Sequence, residues 1–174
     1  MSEPHRKLPI GIQTFSQIIS GNYYYVDKTA QIARLLSEDK YYFLSRPRRF
    51  GKSLLLDTLK ELLECNEALF RGLAIHGQWD WTTPSPVIEI SFNDGGLETR
   101  QDLEQRMISL VQQNSQRLGL PWEAPANPVE GLRLLIKRAH EKYGQRVAIL
   151  VDEYDKPVLD HINNPPVALA MREC

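Results

Sequence analysis

The sequence is poor in cysteine. It has two, Cys65 and Cys174, and the second is the last residue. That excludes a disulfide framework, and no Cys-x-x-Cys pair offers zinc-ligand spacing. A reducing, cytoplasmic setting is expected from this usage. Long hydrophobic runs are also lacking. Nothing approaches the ~18 uninterrupted apolar residues of a membrane helix, so no membrane association is expected. The polar start, Met1-Ser2-Glu3-Pro4-His5-Arg6-Lys7, is not followed by the apolar stretch of a signal peptide. Charge of one sign is missing as well. The formal net charge is −1, so any attraction to nucleic acid must be local. No internal repeat and no low-complexity segment interrupts the chain.

What remains is an ordinary globular composition. The chain has 174 residues, 42% hydrophobic and 25% charged, enough for one domain with a real core. After a polar lead-in, a short helix is expected over 15–19 behind Thr14. Gly21-Asn22 marks a turn. Asp27 is placed to cap a second helix whose Ile32, Leu35 and Leu36 form an amphipathic stripe. Tyr41-Tyr42-Phe43-Leu44 reads as a buried strand. A basic loop follows over 45–51, then a helix from Lys52 to about Cys65 with Leu55, Leu59, Leu62 and Leu63 on its inner face.

Further along, 87–92 alternates as a strand and Asn93-Asp94-Gly95-Gly96 as a turn. Helices are expected at about 97–118 and 128–143, separated by a proline-rich stretch. The apolar run 147–151 suits a parallel strand covered on both faces. Prolines at 157, 165 and 166 then break the chain before a short closing helix. Strands alternating with helices predict a layered α/β fold.

Two segments carry candidate chemistry. Ser45-Arg46-Pro47-Arg48-Arg49-Phe50-Gly51-Lys52-Ser53-Leu54 matches the phosphate-loop pattern GxxxxGK[ST] at its end but not at its start, where Arg46 replaces glycine. A loop running into a helix N-terminus offers converging N–H groups and a favourable dipole to an anion. Gly51 lets backbone approach a phosphate. Lys52 can place an ammonium on β and γ phosphates, and Ser53 can offer a hydroxyl to Mg²⁺. Arg46, Arg48 and Arg49 add positive charge. Pro47 removes a donor, though one distant from Gly51. Read blandly, this is a basic surface loop that happens to contain Gly-Lys-Ser.

The second segment is the apolar run ending in Asp152-Glu153. Asp152 is expected to hold Mg²⁺ and Glu153 to polarise water as general base, at the carboxyl end of a parallel strand. The bland alternative is a strand end with solvated acids. Two half-signals in the right order and setting outweigh either alone. The cluster Tyr25-Val26-Asp27-Lys28-Thr29 either lines a nucleoside or is a helix cap with a solvated lysine. Asp155 and Lys156 either reach the site or pair with each other. His5, His76, His140 and His161 read as surface or satisfied histidines, and Trp79, Trp81 and Trp122 as packing anchors.

The strings Leu8-Pro9-Ile10-Gly11-Ile12-Gln13, Tyr25 to Thr29, Tyr42 to Leu54 and Val151-Asp152-Glu153-Tyr154-Asp155-Lys156-Pro157 together resemble the bacterial AAA-ATPase-like family. Its members often carry a restriction-endonuclease-like nuclease domain at the C-terminus. The resemblance implies a P-loop NTPase-type three-layer sandwich with a mainly parallel sheet. Residues 1–40 would be its lead-in segment and 41–174 its core. It implies ATP bound by Gly51, Lys52 and Ser53, with Asp152 and Glu153 as the magnesium and water acids, and hydrolysis to ADP and phosphate at a complete site. Arginine-proline in place of the first glycine is normal for this family.

Family members are much longer, so the chain is expected to be a fragment lacking a central strand, a sensor residue, an arginine finger and the nuclease domain. Such a fragment would be poorly soluble, or would bind nucleotide without turnover. Two other readings stand beside the ATPase. One is a nucleotide-operated interaction module that switches a protein partner or the C-terminal domain. The other is a nucleic-acid binder using Arg46, Arg48, Arg49 and Lys52, which ranks last because the patch is short and the chain slightly acidic.

Overall fold

The computed structural model describes residues 6–47, 49–93 and 96–173. The chain divides into two compact units, Met1–Pro84 and Ser85–Cys174.

The first unit is helical. Helix α1 spans Phe15–Ser20, α2 Thr29–Glu38 and α3 Lys52–Leu63, followed by a 3-10 turn at Glu67–Phe70. The core gathers Phe15, Ile18, Leu62, Phe70 and Ile75, all fully buried. Aromatic rings knit it together: Phe15 lies 4.9 Å from Phe70 and 5.2 Å from Tyr25, and Phe70 lies 5.2 Å from Trp81. These are the separations at which offset and edge-on pairs attract. Trp81 and Trp79 are half-buried, and the Trp81 indole N–H donates to the carbonyl of His76.

Asp27 ties the start of α2 to a distant turn. Its carboxylate accepts the Thr29 N–H and hydroxyl at 2.8 and 2.7 Å and the Ala74 N–H at 2.7 Å. The Thr29 hydroxyl oxygen in turn accepts the Ile75 N–H at 3.1 Å. Partial burial pushes the Asp27 carboxyl up, but these hydrogen bonds outweigh it, and the net direction is below the usual carboxylate range. A depressed folded-state value gives stability that is present above the unfolded value of ~3.9 and is lost as pH falls through the folded one. Chemical denaturation between about pH 5 and 3 should therefore show the wild type losing stability more steeply than D27N. Equal slopes would count against the assignment.

The basic loop is preceded by no strand. Residues 41–44 are unassigned, with Tyr41 92% and Phe43 71% exposed. The expectation of a buried strand here is corrected. Aromatic β-formers favour extended backbone, but a strand needs another strand in register beside it, and the described ladder pairs only 87–91 with 148–152.

The second unit is α/β. Strand β1 spans Val87–Ser91 and β2 Ala148–Asp152. They pair in parallel, with Val87 opposite Ala148 and Ser91 opposite Asp152. Two helices separate them in sequence, α4 at Arg100–Arg117 and α5 at Pro128–Tyr143, as a parallel crossover requires. Both begin with clear local signals. Thr99 and Asp102 form a reciprocal capping box on α4, and Asn127 caps α5 ahead of Pro128 in the first turn. Gly144, at φ 65°, ends α5 in the left-handed conformation that glycine adopts freely. Helices α6, Lys156–Leu159, and α7, Pro165–Arg172, close the chain. The core joins Ile88, Ile90 and Phe92 to Leu103, Leu110 and Val111 of α4, Leu135 and Ala139 of α5, and Met171 of α7, with Trp122 packed against it.

The outer edge of β1 is closed by side chains of α4. The buried Asn114 accepts the Glu89 N–H at 2.9 Å and donates to the Glu89 carbonyl at 2.7 Å, as a neighbouring strand would. Arg117 donates to the Val87 carbonyl, and Arg106 to that of Ser91 at 3.4 Å. Strand β2 is treated differently. Ile149 and Val151 are 41% and 42% exposed. The apolar run is a parallel strand, as expected, but it is not covered on both faces. Covering needs a layer packed against each face, and the described residues supply less than that to β2. The expected turn at 93–96 falls partly on residues 94 and 95, which lie outside the described residues.

Candidate functional site

In the first unit, the loop meets α3 through two left-handed residues. Arg49 has φ 67° and Gly51 φ 75°. For arginine that conformation costs roughly 1 kcal/mol or more, the kind of strain kept where backbone direction matters. Gly51 is the N-cap of α3 and has open space where a Cβ would be. No N-cap side chain bonds the first turn of α3. The first N–H groups of a helix have no partner within it, so this end presents donors and a positive dipole.

The Lys52 ammonium folds back over its own loop. Nζ donates to the Arg46 carbonyl at 2.8 Å and the Pro47 carbonyl at 3.4 Å. Two of its three donors are thus placed by the backbone. This explains the odd start of the motif. Position 46 contributes a carbonyl, which every residue has, and the Arg46 side chain is exposed. Pro47 likewise contributes a carbonyl, so its missing N–H removes nothing from this contact. Phe50 is exposed, while Ser53 and Leu54 are half-buried in the first turn of α3. Arg48 lies outside the described residues.

In the second unit, β2 delivers Asp152 at its carboxyl end, in register with Ser91. Glu153 follows with φ 52°, a second strained non-glycine residue at a predicted site. The Asp152 carboxylate accepts the Glu153 N–H at 3.0 Å and so braces that turn. Both acids are half-buried. Lys156 pairs with Asp160 at 2.5 Å, four residues on along α6, and not with Asp155. Among the described residues, no three His, Cys, Asp or Glu side chains converge to hold a metal by themselves.

The cluster at 25–29 divides. Asp27 and Thr29 are engaged in the turn described above, and Lys28 is exposed. Asp27 holds the turn ahead of α2, whose N-cap residue is Lys28 and makes no side-chain cap bond. Two histidines take structural partners: His76 lies 3.0 Å from Glu67, and His140 Nδ1 lies 2.8 Å from the Gln145 carbonyl, while His5 lies outside the described residues.

The Gly-Lys-Ser turn thus opens a helix of the first unit, and the acid pair closes a parallel strand of the second. The chain belongs to the AAA-ATPase-like family, whose model, described as Predicted AAA-ATPase, matches residues 9–174. It is 50% identical over 169 residues to an uncharacterized protein in the vnfD 5′ region of Azotobacter chroococcum. That match covers 97% of this chain and 33% of the relative, so the chain spans about a third of the relative's length. No solved structure matches it. Among the described residues, no helix is long and apolar enough to cross a membrane.

Proposed function

We propose that the chain binds ATP through Gly51, Lys52 and Ser53, and that Asp152 and Glu153 serve hydrolysis to ADP and phosphate. The observation that carries this reading is the loop geometry: Gly51 left-handed at the mouth of α3, and Lys52 held by the carbonyls of Arg46 and Pro47. Family membership supports nucleotide binding on independent grounds.

The residues present fit the ligand. First-turn N–H groups of α3 and the Lys52 ammonium suit phosphate oxygens. Ser53 in the first unit and Asp152 in the second are each a hard oxygen donor of the kind magnesium takes. Bound magnesium would neutralise charge on the phosphates. Arg46 and Arg49 add positive potential around the loop. Glu153 takes the proton of a water as its oxygen bonds to the terminal phosphorus and the bond to ADP breaks.

The test is equilibrium binding of a fluorescent ATP analogue, with and without Mg²⁺, followed by phosphate release. Saturable, magnesium-enhanced binding is expected. E153Q should retain affinity and lose about 100-fold or more in turnover, the usual contribution of a general base. A well-folded sample that binds no analogue would sink the reading. Binding without turnover in the wild type would favour the second reading, a nucleotide-switched interaction module, to which the exposed Ile149 and Val151 lend some support.

A further inference from the structure

Helix α3 is gripped at its middle by the segment that precedes it. Asp57 lies five residues beyond Lys52, about 7.5 Å along the helix axis. Its Oδ2 accepts the Phe15 N–H at 2.6 Å across 42 residues of sequence. Phe15 opens α1, and its N-cap residue Thr14 makes no side-chain bond. Asp57 therefore supplies, from α3, the acceptor that α1 lacks.

The neighbouring residue makes a second link. The Thr58 hydroxyl donates to the Leu54 carbonyl at 2.7 Å. A threonine hydroxyl has one proton. That proton, pointed at the Leu54 carbonyl, ties the middle of α3 to its first turn. Leu54 directly follows Ser53 there. The Phe15 ring is also held by that of Tyr25, 5.2 Å away. Buried Phe15, Thr58, Leu59 and Leu62 fill the space between α1 and α3.

We propose that Asp57 and Thr58 are positioning residues for the phosphate loop: Asp57 through the Phe15 N–H, and Thr58 through the Leu54 carbonyl, set the angle at which the first turn of α3 presents its N–H groups. This rests on the ATP reading above. It also gives the strings at 8–13 and 25–29 a shared purpose, since they flank the segment that grips α3.

Three variants test it in the intact chain. D57N keeps an acceptor oxygen for Phe15, D57A removes it, and T58V keeps the shape of Thr58 without its hydroxyl. I32V, a core change on α2, serves as a destabilised control. D57A and T58V should each weaken binding of the fluorescent ATP analogue with Mg²⁺ about tenfold, a change of ~1.4 kcal/mol. D57N and I32V should bind within about threefold of wild type, or ~0.7 kcal/mol. Amide exchange at 52–55 should accelerate in D57A and not in D57N.

Wild-type affinity in D57A and T58V would overturn the proposal. So would losses that track melting temperature in all four variants. If D57A fails to fold, T58V carries the same comparison. If the wild type binds no analogue, the ATP reading fails separately. Exchange at 52–55 then decides: selective acceleration in D57A supports the grip, and unchanged exchange overturns it.

Discussion

Lys52→Ala is expected to weaken binding of ATP with magnesium by about 100-fold or more, with little change in melting temperature. The backbone sets the position of this ammonium, through the carbonyls of Arg46 and Pro47. Each charge-assisted bond it makes to phosphate is worth roughly 1.5–3 kcal/mol. Losing the charge and its bonds together reaches the 100-fold range. Stability should change little because Lys52 is only half-buried, so water can take over the two carbonyls. Lys52→Arg should not restore binding, since a planar fork cannot replace a compact ammonium between carbonyls and phosphate. Titration of the fluorescent analogue, with a thermal melt on the same samples, measures both quantities. Undiminished affinity in Lys52→Ala would remove the loop from the proposed site.

Asn114→Ala should lower unfolding free energy by about 3 kcal/mol. The amide makes four bonds in a buried setting: its oxygen accepts from the Glu89 N–H and, at 3.4 Å, from Arg117, and its nitrogen donates to the carbonyls of Glu89 and, at 2.8 Å, Leu110. Truncation leaves a strand N–H and carbonyl without their partner, and each such group costs roughly 1–3 kcal/mol. Asn114→Asp should be no better. It keeps an acceptor for the Glu89 N–H but turns the donor that served two carbonyls into a further acceptor. Urea denaturation gives the number. A loss below about 1 kcal/mol, an ordinary surface value, would show that water or Arg117 replaces the amide.

Much of this was legible in the chain. The longer helices fall near where periodicity placed them, and Thr99, Asn127, Pro128 and Gly144 fix the ends of α4 and α5 locally. The parallel pairing of 87–91 with 148–152 followed from apolar strands separated by helices. The strand expected at 41–44 was not found, because strand character is granted by a neighbour and not by Tyr-Tyr-Phe-Leu alone. The same dependence explains the half-exposed face of β2. At the candidate site, Gly51, Lys52 and Ser53 were read from a motif, while the carbonyl role of Arg46 needed backbone geometry. Asp57, Thr58 and Asn114 carried no signal. A polar residue on the inner side of a helix looks like an interruption of the apolar stripe until its distant partner is known.

The side chains that α4 lays along β1 give the two-stranded sheet a direction. A strand approaching from the β1 side would have to displace Arg106, Asn114 and Arg117 from carbonyls they already satisfy. No described strand pairs with the far edge of β2. Widening is therefore stitched shut on one flank, that of β1.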